Sequence, residues 1–207
     1  MAARSRSTMT DVALIAVFAG LLAALTLAPA VPVGPLGVPI TLQTLGVALC
    51  AMVLGPWRGA AAVGLYLLLG FAGLPIFAQG NGGLGVLARP SVGYLFAFPL
   101  AALLTGALAR LVLRRTWASG RRWLGLVGSG LAGSLVFIHP LGITGMHLVG
   151  GLPWEAAVAA GVPYLPGDLV KTVVAAGIAV AVHRAFPDLT APRVGSVTTT
   201  PERVGTR

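Results

Sequence analysis

Val162-Pro163-Tyr164-Leu165-Pro166-Gly167-Asp168-Leu169-Val170-Lys171-Thr172-Val173-Val174-Ala175-Ala176-Gly177-Ile178-Ala179-Val180-Ala181-Val182 is an apolar run that carries one acid and one base. A bilayer crossing takes about 20 mostly apolar residues as a helix, and this run has that length. Pro166 suits a helix start, and Asp168 just after it meets the positive end of the helix dipole. Lys171, three residues on, shares the same face. A charge inside the bilayer costs about 2.5–3.5 kcal/mol even on lenient insertion scales. Two readings follow: a functional pair, or a structural ion pair that satisfies itself near the interface. A carboxylate offers only acceptors and an ammonium only donors. Together they can grip a ligand that carries N–H groups beside a carbonyl oxygen.

Five further apolar runs precede this one, at about Asp11–Ala28, Val38–Leu54, Trp57–Leu74, Val92–Leu113 and Trp123–Val149. With 57% hydrophobic and 9% charged residues and a mean hydropathy of +0.91, the chain lacks the polar surface of a soluble domain, where about 25% of residues are charged. The expectation is an all-α integral membrane protein with six transmembrane helices. Residues 1–10 read as a short N-terminus, 11–184 as one membrane domain, and 185–207, rich in Pro, Thr and Arg, as a disordered tail. Arg4 and Arg6 before the first apolar run resemble a cleavable signal peptide, but Val12–Leu27 exceeds the roughly 7–15 residues of such a core, so a retained helix is expected.

Alternating sides along six spans leaves Arg89 and Lys171 as the only two of the 14 basic residues on one face of the membrane. The positive-inside rule then puts both termini in the cytoplasm, and an odd number of spans would spoil the segregation. The net charge of +9 is spread between apolar runs rather than gathered into a basic patch with interleaved aromatics, so nucleic acid is not an expected partner. Cys50 is the single cysteine, which excludes a disulfide within the chain.

The remaining polar residues fall into three groups. Gly80-Asn81-Gly82-Gly83-Leu84-Gly85-Val86-Leu87-Ala88-Arg89-Pro90-Ser91-Val92-Gly93-Tyr94 joins the third and fourth spans, and its glycines allow sharp turns and close approach to a ligand. Arg89 is either the receiver of a ligand carboxylate or an interfacial arginine with its head in water. Thr41, Gln43 and Thr44 enter the second span, where hydrogen bonding between helices is the plain reading. His139 and His147 have no acid near them in sequence and read as packed or interfacial rather than metal-binding. On the first span, Ala16, Gly20 and Ala24 form a strip of small side chains, suited either to packing inside the bundle or to docking another subunit.

Lys171-Thr172 lacks the glycine that a phosphate-binding loop needs where Val170 stands, and no HExxH or GxSxG pattern occurs. Binding or transport is favoured over catalysis; the enzyme alternative is a membrane-embedded protein acting on a lipid or isoprenoid with Asp168 as base, and a third reading is a purely structural membrane subunit. No metal or cofactor is expected.

Three blocks resemble the BioY family, the biotin-binding S components of energy-coupling-factor (ECF) vitamin transporters: Val38-Pro39-Ile40-Thr41-Leu42-Gln43-Thr44-Leu45, the Gly80–Tyr94 loop, and Pro166-Gly167-Asp168-Leu169-Val170-Lys171. Their order and spacing agree from about Asp11 to His183. The resemblance implies the six-helix S-component fold in the bacterial cell membrane, with biotin held at its outer side. It implies that Asp168, Lys171 and Asn81 meet the ureido ring; position in the sequence adds Arg89 at the valerate carboxylate and Tyr94 in the pocket wall, with Gln43 a further candidate binding residue. It makes Ala16, Gly20 and Ala24 the docking strip for the ECF membrane coupling subunit. Paired ATPases on other chains would supply energy, with self-association as the alternative. One departure stands out: the family usually shows two glycines before the tyrosine, and Val92 replaces the first.

Overall fold

A computed structural model describes residues 8–33 and 36–190. Six helical passes fill it: α1 (Thr8–Thr26), α2 (Gln43–Leu54), α3 (Pro56–Phe71), α4 (Val92–Leu113), α5 and α6 (Ser119–Gly133 and His139–Leu148), and α7 and α8 (Trp154–Gly161 and Tyr164–Ala185). Four are long and apolar enough to cross a bilayer: α1, α4, the continuous stretch Ser119–Leu148, and Trp154–Ala185. The last begins earlier than the run from Val162, because α7 precedes α8 across a break at Val162-Pro163. The chain also orders slightly beyond the expected domain limits. Helix α1 starts at Thr8, and a turn at Pro187–Thr190 buries Leu189 and offers its carbonyl to Arg58 Nη2 at 2.5 Å. The rest of the expected tail, 191–207, lies outside the described residues, as do residues 1–7.

Helix α2 is the centre of the bundle. It packs on α1, α3, α4 and α8, and every residue from Leu49 to Leu54 is buried. At 12 residues it is only about 18 Å long, well short of a roughly 30 Å hydrocarbon core. The missing length is where the fold departs from an all-helical expectation. Val38–Ile40, read from sequence as the start of the second span, is a β-strand (β2) paired antiparallel with β1 (Val31–Val33), Pro32 opposite Pro39. Proline has no N–H for a helix and pushes the residue before it toward extended backbone, so Pro39 holds Val38 out of the helix that begins at Gln43.

Close backbone contacts fix the helices around that end. A side chain at Gly93 would strike the carbonyl oxygen of Leu141, and one at Gly145 would meet Pro90 O at 2.9 Å, so α4 and α6 touch backbone to backbone. Val92, the family departure, is buried at 7% exposure on the first turn of α4, while the adjacent Gly93 occupies the tight position. Gly93→Ala should therefore lower unfolding stability by about 1–3 kcal/mol. Gly64→Ala, where a Cβ would have nothing within 4 Å, should leave it unchanged or slightly raised. Thermal unfolding in detergent reads both; an unaffected Gly93→Ala would contradict the packing described.

Candidate functional site

The first turns of α2, α4 and α8 converge at one end of the bundle, together with the β1–β2 ribbon and the loop between α3 and α4. Between them lies a cleft of about 970 Å³, counting the space at its open mouth. Asp168, Lys171, Asn81, Arg89, Tyr94 and Gln43 all line it.

Asp168 and Lys171 form the floor. Lys171 Nζ donates to Asp168 Oδ1 at 2.9 Å and to Thr44 Oγ1 at 3.1 Å, and Thr44 Oγ1 donates to the same Oδ1 at 2.8 Å. The carboxylate side chain is 8% exposed and the lysine side chain 13%, so the pair is desolvated and yet touches the cleft. Thr44 does what its position suggested, bonding one helix to another, and in doing so becomes part of the ionic cluster. His139 is packed, one of the two readings of its place in the span, and its neighbour is Asp168. It has no acid nearby in sequence, but in space its Nε2 lies 3.2 Å from Asp168 Oδ2. The approach is close but out of line for a hydrogen bond, and Nε2 has no aligned partner among the described residues. The only sequence signal was an imidazole within an apolar span.

The walls follow from local backbone. The loop from Phe77 to Asn81 closes on itself: Phe77 N–H donates to Asn81 O at 2.9 Å, and Asn81 Nδ2 donates to Ala78 O at 2.6 Å. Gln79 at its tip takes the left-handed conformation (φ 61°), a strained state for a residue with a side chain. A Cβ at Gly82 would strike the Leu74 carbonyl, so this glycine lets the loop press against the end of α3. Gln43 Nε2 donates to Tyr66 OH at 2.8 Å, and that hydroxyl donates to Ile76 O at 3.2 Å, tying α2, α3 and the loop into one rigid wall. On the opposite side Tyr164 OH donates to Val38 O at 2.7 Å and so pins the ribbon to α8. Tyr94 OH is buried without a hydrogen-bond partner among the described residues, and Arg89 is exposed at the mouth. The cleft therefore offers an acceptor–donor floor, walls of mixed apolar and polar side chains, one unpartnered hydroxyl among the described residues, and one guanidinium.

Ala16, Gly20 and Ala24 are elsewhere. All three are exposed on the outer side of α1, and a Cβ at Gly20 would have nothing within 4 Å, whereas Ala19 and Leu22 face the bundle. Packing inside the bundle, one of the two readings of the strip, does not hold for these residues.

This is a multi-pass membrane protein built around a ligand-sized cleft. The BioY family profile matches residues 1–188; the chain belongs to the BioY family. It is 44% identical to the biotin transporter BioY of Rhodobacter capsulatus, over 79% of this chain and 88% of that one. It is 36% identical to the biotin transporter BioY of Rhizobium etli, over 87% and 97%. Among solved structures, the S-component for biotin from an ECF-type ABC transporter superposes with a TM-score of 0.78 at 24% identity, covering 87% of this chain and 95% of that one, a likeness of fold.

The ionic cluster makes a prediction independent of any ligand. Breaking a buried pair from one side costs about 3–5 kcal/mol, whereas removing both charges costs much less. Asp168→Leu should thus lower the unfolding temperature sharply, and adding Lys171→Met should recover most of the loss. If the double variant is as unstable as the sum of the single ones, the two charges are not a pair.

Proposed function

We propose that the chain captures biotin in this cleft, as the membrane-embedded substrate-binding component of an ECF-type uptake system in the bacterial cell membrane. Family membership and the relatives' assignment as biotin transporters support this reading, and nothing in the site favours the enzyme alternative. The observation that carries it is the floor of the cleft. A urea-like ring presents N–H donors flanking a carbonyl oxygen, and Asp168 and Lys171 present the complementary acceptor and donor 2.9 Å apart. The ring sits over this pair with Asn81 beside it. Gln43 and Tyr94 line the wall, and the ligand's carboxylate reaches toward Arg89.

The exposed strip Ala16, Gly20 and Ala24 is the face offered to the membrane coupling subunit, since small side chains let a second helix approach closely. ATPases on other chains supply the energy. Both termini lie in the cytoplasm and the cleft opens outward, the orientation that follows from the arginine distribution.

Equilibrium binding to the purified chain tests the site. Hydrogen bonds to charged groups are worth about 1.5–3 kcal/mol, so Asp168→Asn and Lys171→Met should each weaken biotin binding at least about tenfold. Arg89→Ala should weaken binding of biotin but not of biotin amide, which has no carboxylate. Gly20→Leu should leave binding intact and reduce uptake by cells. Unchanged affinity in both Asp168→Asn and Lys171→Met would sink the assigned site.

A further inference from the structure

His139 stands against Asp168 directly after a locally wide turn of the helix. Between α5 and α6 the backbone makes a π-turn over Ser134–Ile138, and His139 N–H bonds to Ser134 O, five residues back instead of four. Such single wide turns inside α-helices occur frequently at functional sites. The turn shifts the face that α6 presents, and the residue placed against the Asp168 carboxylate is an imidazole, 7% exposed at the side chain.

The two oxygens of Asp168 are unequally held. Oδ1 accepts from both Thr44 and Lys171. Oδ2 has His139 Nε2 as its close neighbour, at 3.2 Å. Asp168 also borders a second, small cavity lined by Thr105, Ser134 and Thr172 among others. With Oδ1 held from one side, the plane of the carboxylate depends on what faces Oδ2. A carboxylate oxygen is an acceptor only, so the tautomer that suits this neighbour has its proton on Nε2, and a small rotation of ring or carboxylate would bring that N–H into line.

We propose that His139 is a positioning residue for ligand recognition: seated by the π-turn against Asp168 Oδ2, it fixes the plane of the carboxylate that receives the ligand's N–H groups, without touching the ligand itself. The inference rests on the biotin reading for its ligand, but the His139–Asp168 coupling is a property of the chain alone. His139 does not line the cleft, so any effect on binding is indirect, and the cycle below separates a route through Asp168 from packing.

The test is a double-mutant cycle on the full chain in detergent, read twice. In equilibrium binding, His139→Leu should weaken biotin affinity about tenfold, the loss of one hydrogen bond to a charged group. His139→Gln, which keeps an N–H at the end of its side chain, should recover most of that loss. In an Asp168→Asn background, His139→Leu should add little. In thermal unfolding without ligand, the same cycle should show non-additive shifts. Wild-type affinity in His139→Leu overturns the proposal, as does an equal loss in both backgrounds, which marks packing alone. If the wild-type chain binds no biotin, the functional reading fails; additive unfolding shifts then overturn the positioning role too, and non-additive shifts sustain the His139–Asp168 coupling.

Discussion

The structure is organised around the cost of keeping Asp168 and Lys171 at the inner end of a cleft in an apolar bundle. Neither charge is tolerable there alone; their mutual contact is completed from a second helix by Thr44, and His139 of a third helix lies 3.2 Å from the other carboxylate oxygen. Helices α2 and α8 are thereby tied at one level, with α6 meeting α8 at His139. The pair also borders the cleft, where its remaining hydrogen-bonding capacity is open to a ligand.

The rest of the fold keeps that side open. A central helix of full span length would fill the space above the pair. Helix α2 instead starts at Gln43, and the ribbon and the loop between α3 and α4 stand around the opening as walls. These walls are held by side chains rather than by helix packing: Gln43 with Tyr66, Tyr164 with the Val38 carbonyl, Asn81 with its own loop. Helices α4 and α6, in contrast, are locked by backbone contact at Gly93 and Gly145. On the proposed reading, a rigid bundle carries the ionic floor, and the polar loops above it shape what can enter.

Much of this was legible in the residues. The price of an intramembrane charge singled out Asp168 and Lys171, and the length of the apolar runs gave the number of passes. Glycine spacing marked the loop, and all six candidate binding residues line one cleft. Val38–Ile40 was misread because an apolar run has the same composition as strand or helix; Pro39 was the available signal. The neighbour of His139 was hidden for a different reason. It lies on another helix, and the π-turn before His139 leaves no mark in composition or periodicity. The outward facing of Ala16, Gly20 and Ala24 was equally a matter of tertiary packing, since nearby Ala19 is as small and faces inward.

The most direct measurement of the central claim is a structure of the chain with biotin bound. The account predicts the ureido oxygen within hydrogen-bonding distance of Lys171 Nζ and a ring N–H at the carboxylate of Asp168. A ring seated elsewhere in the cleft, with the Asp168–Lys171–Thr44 cluster untouched, would contradict it.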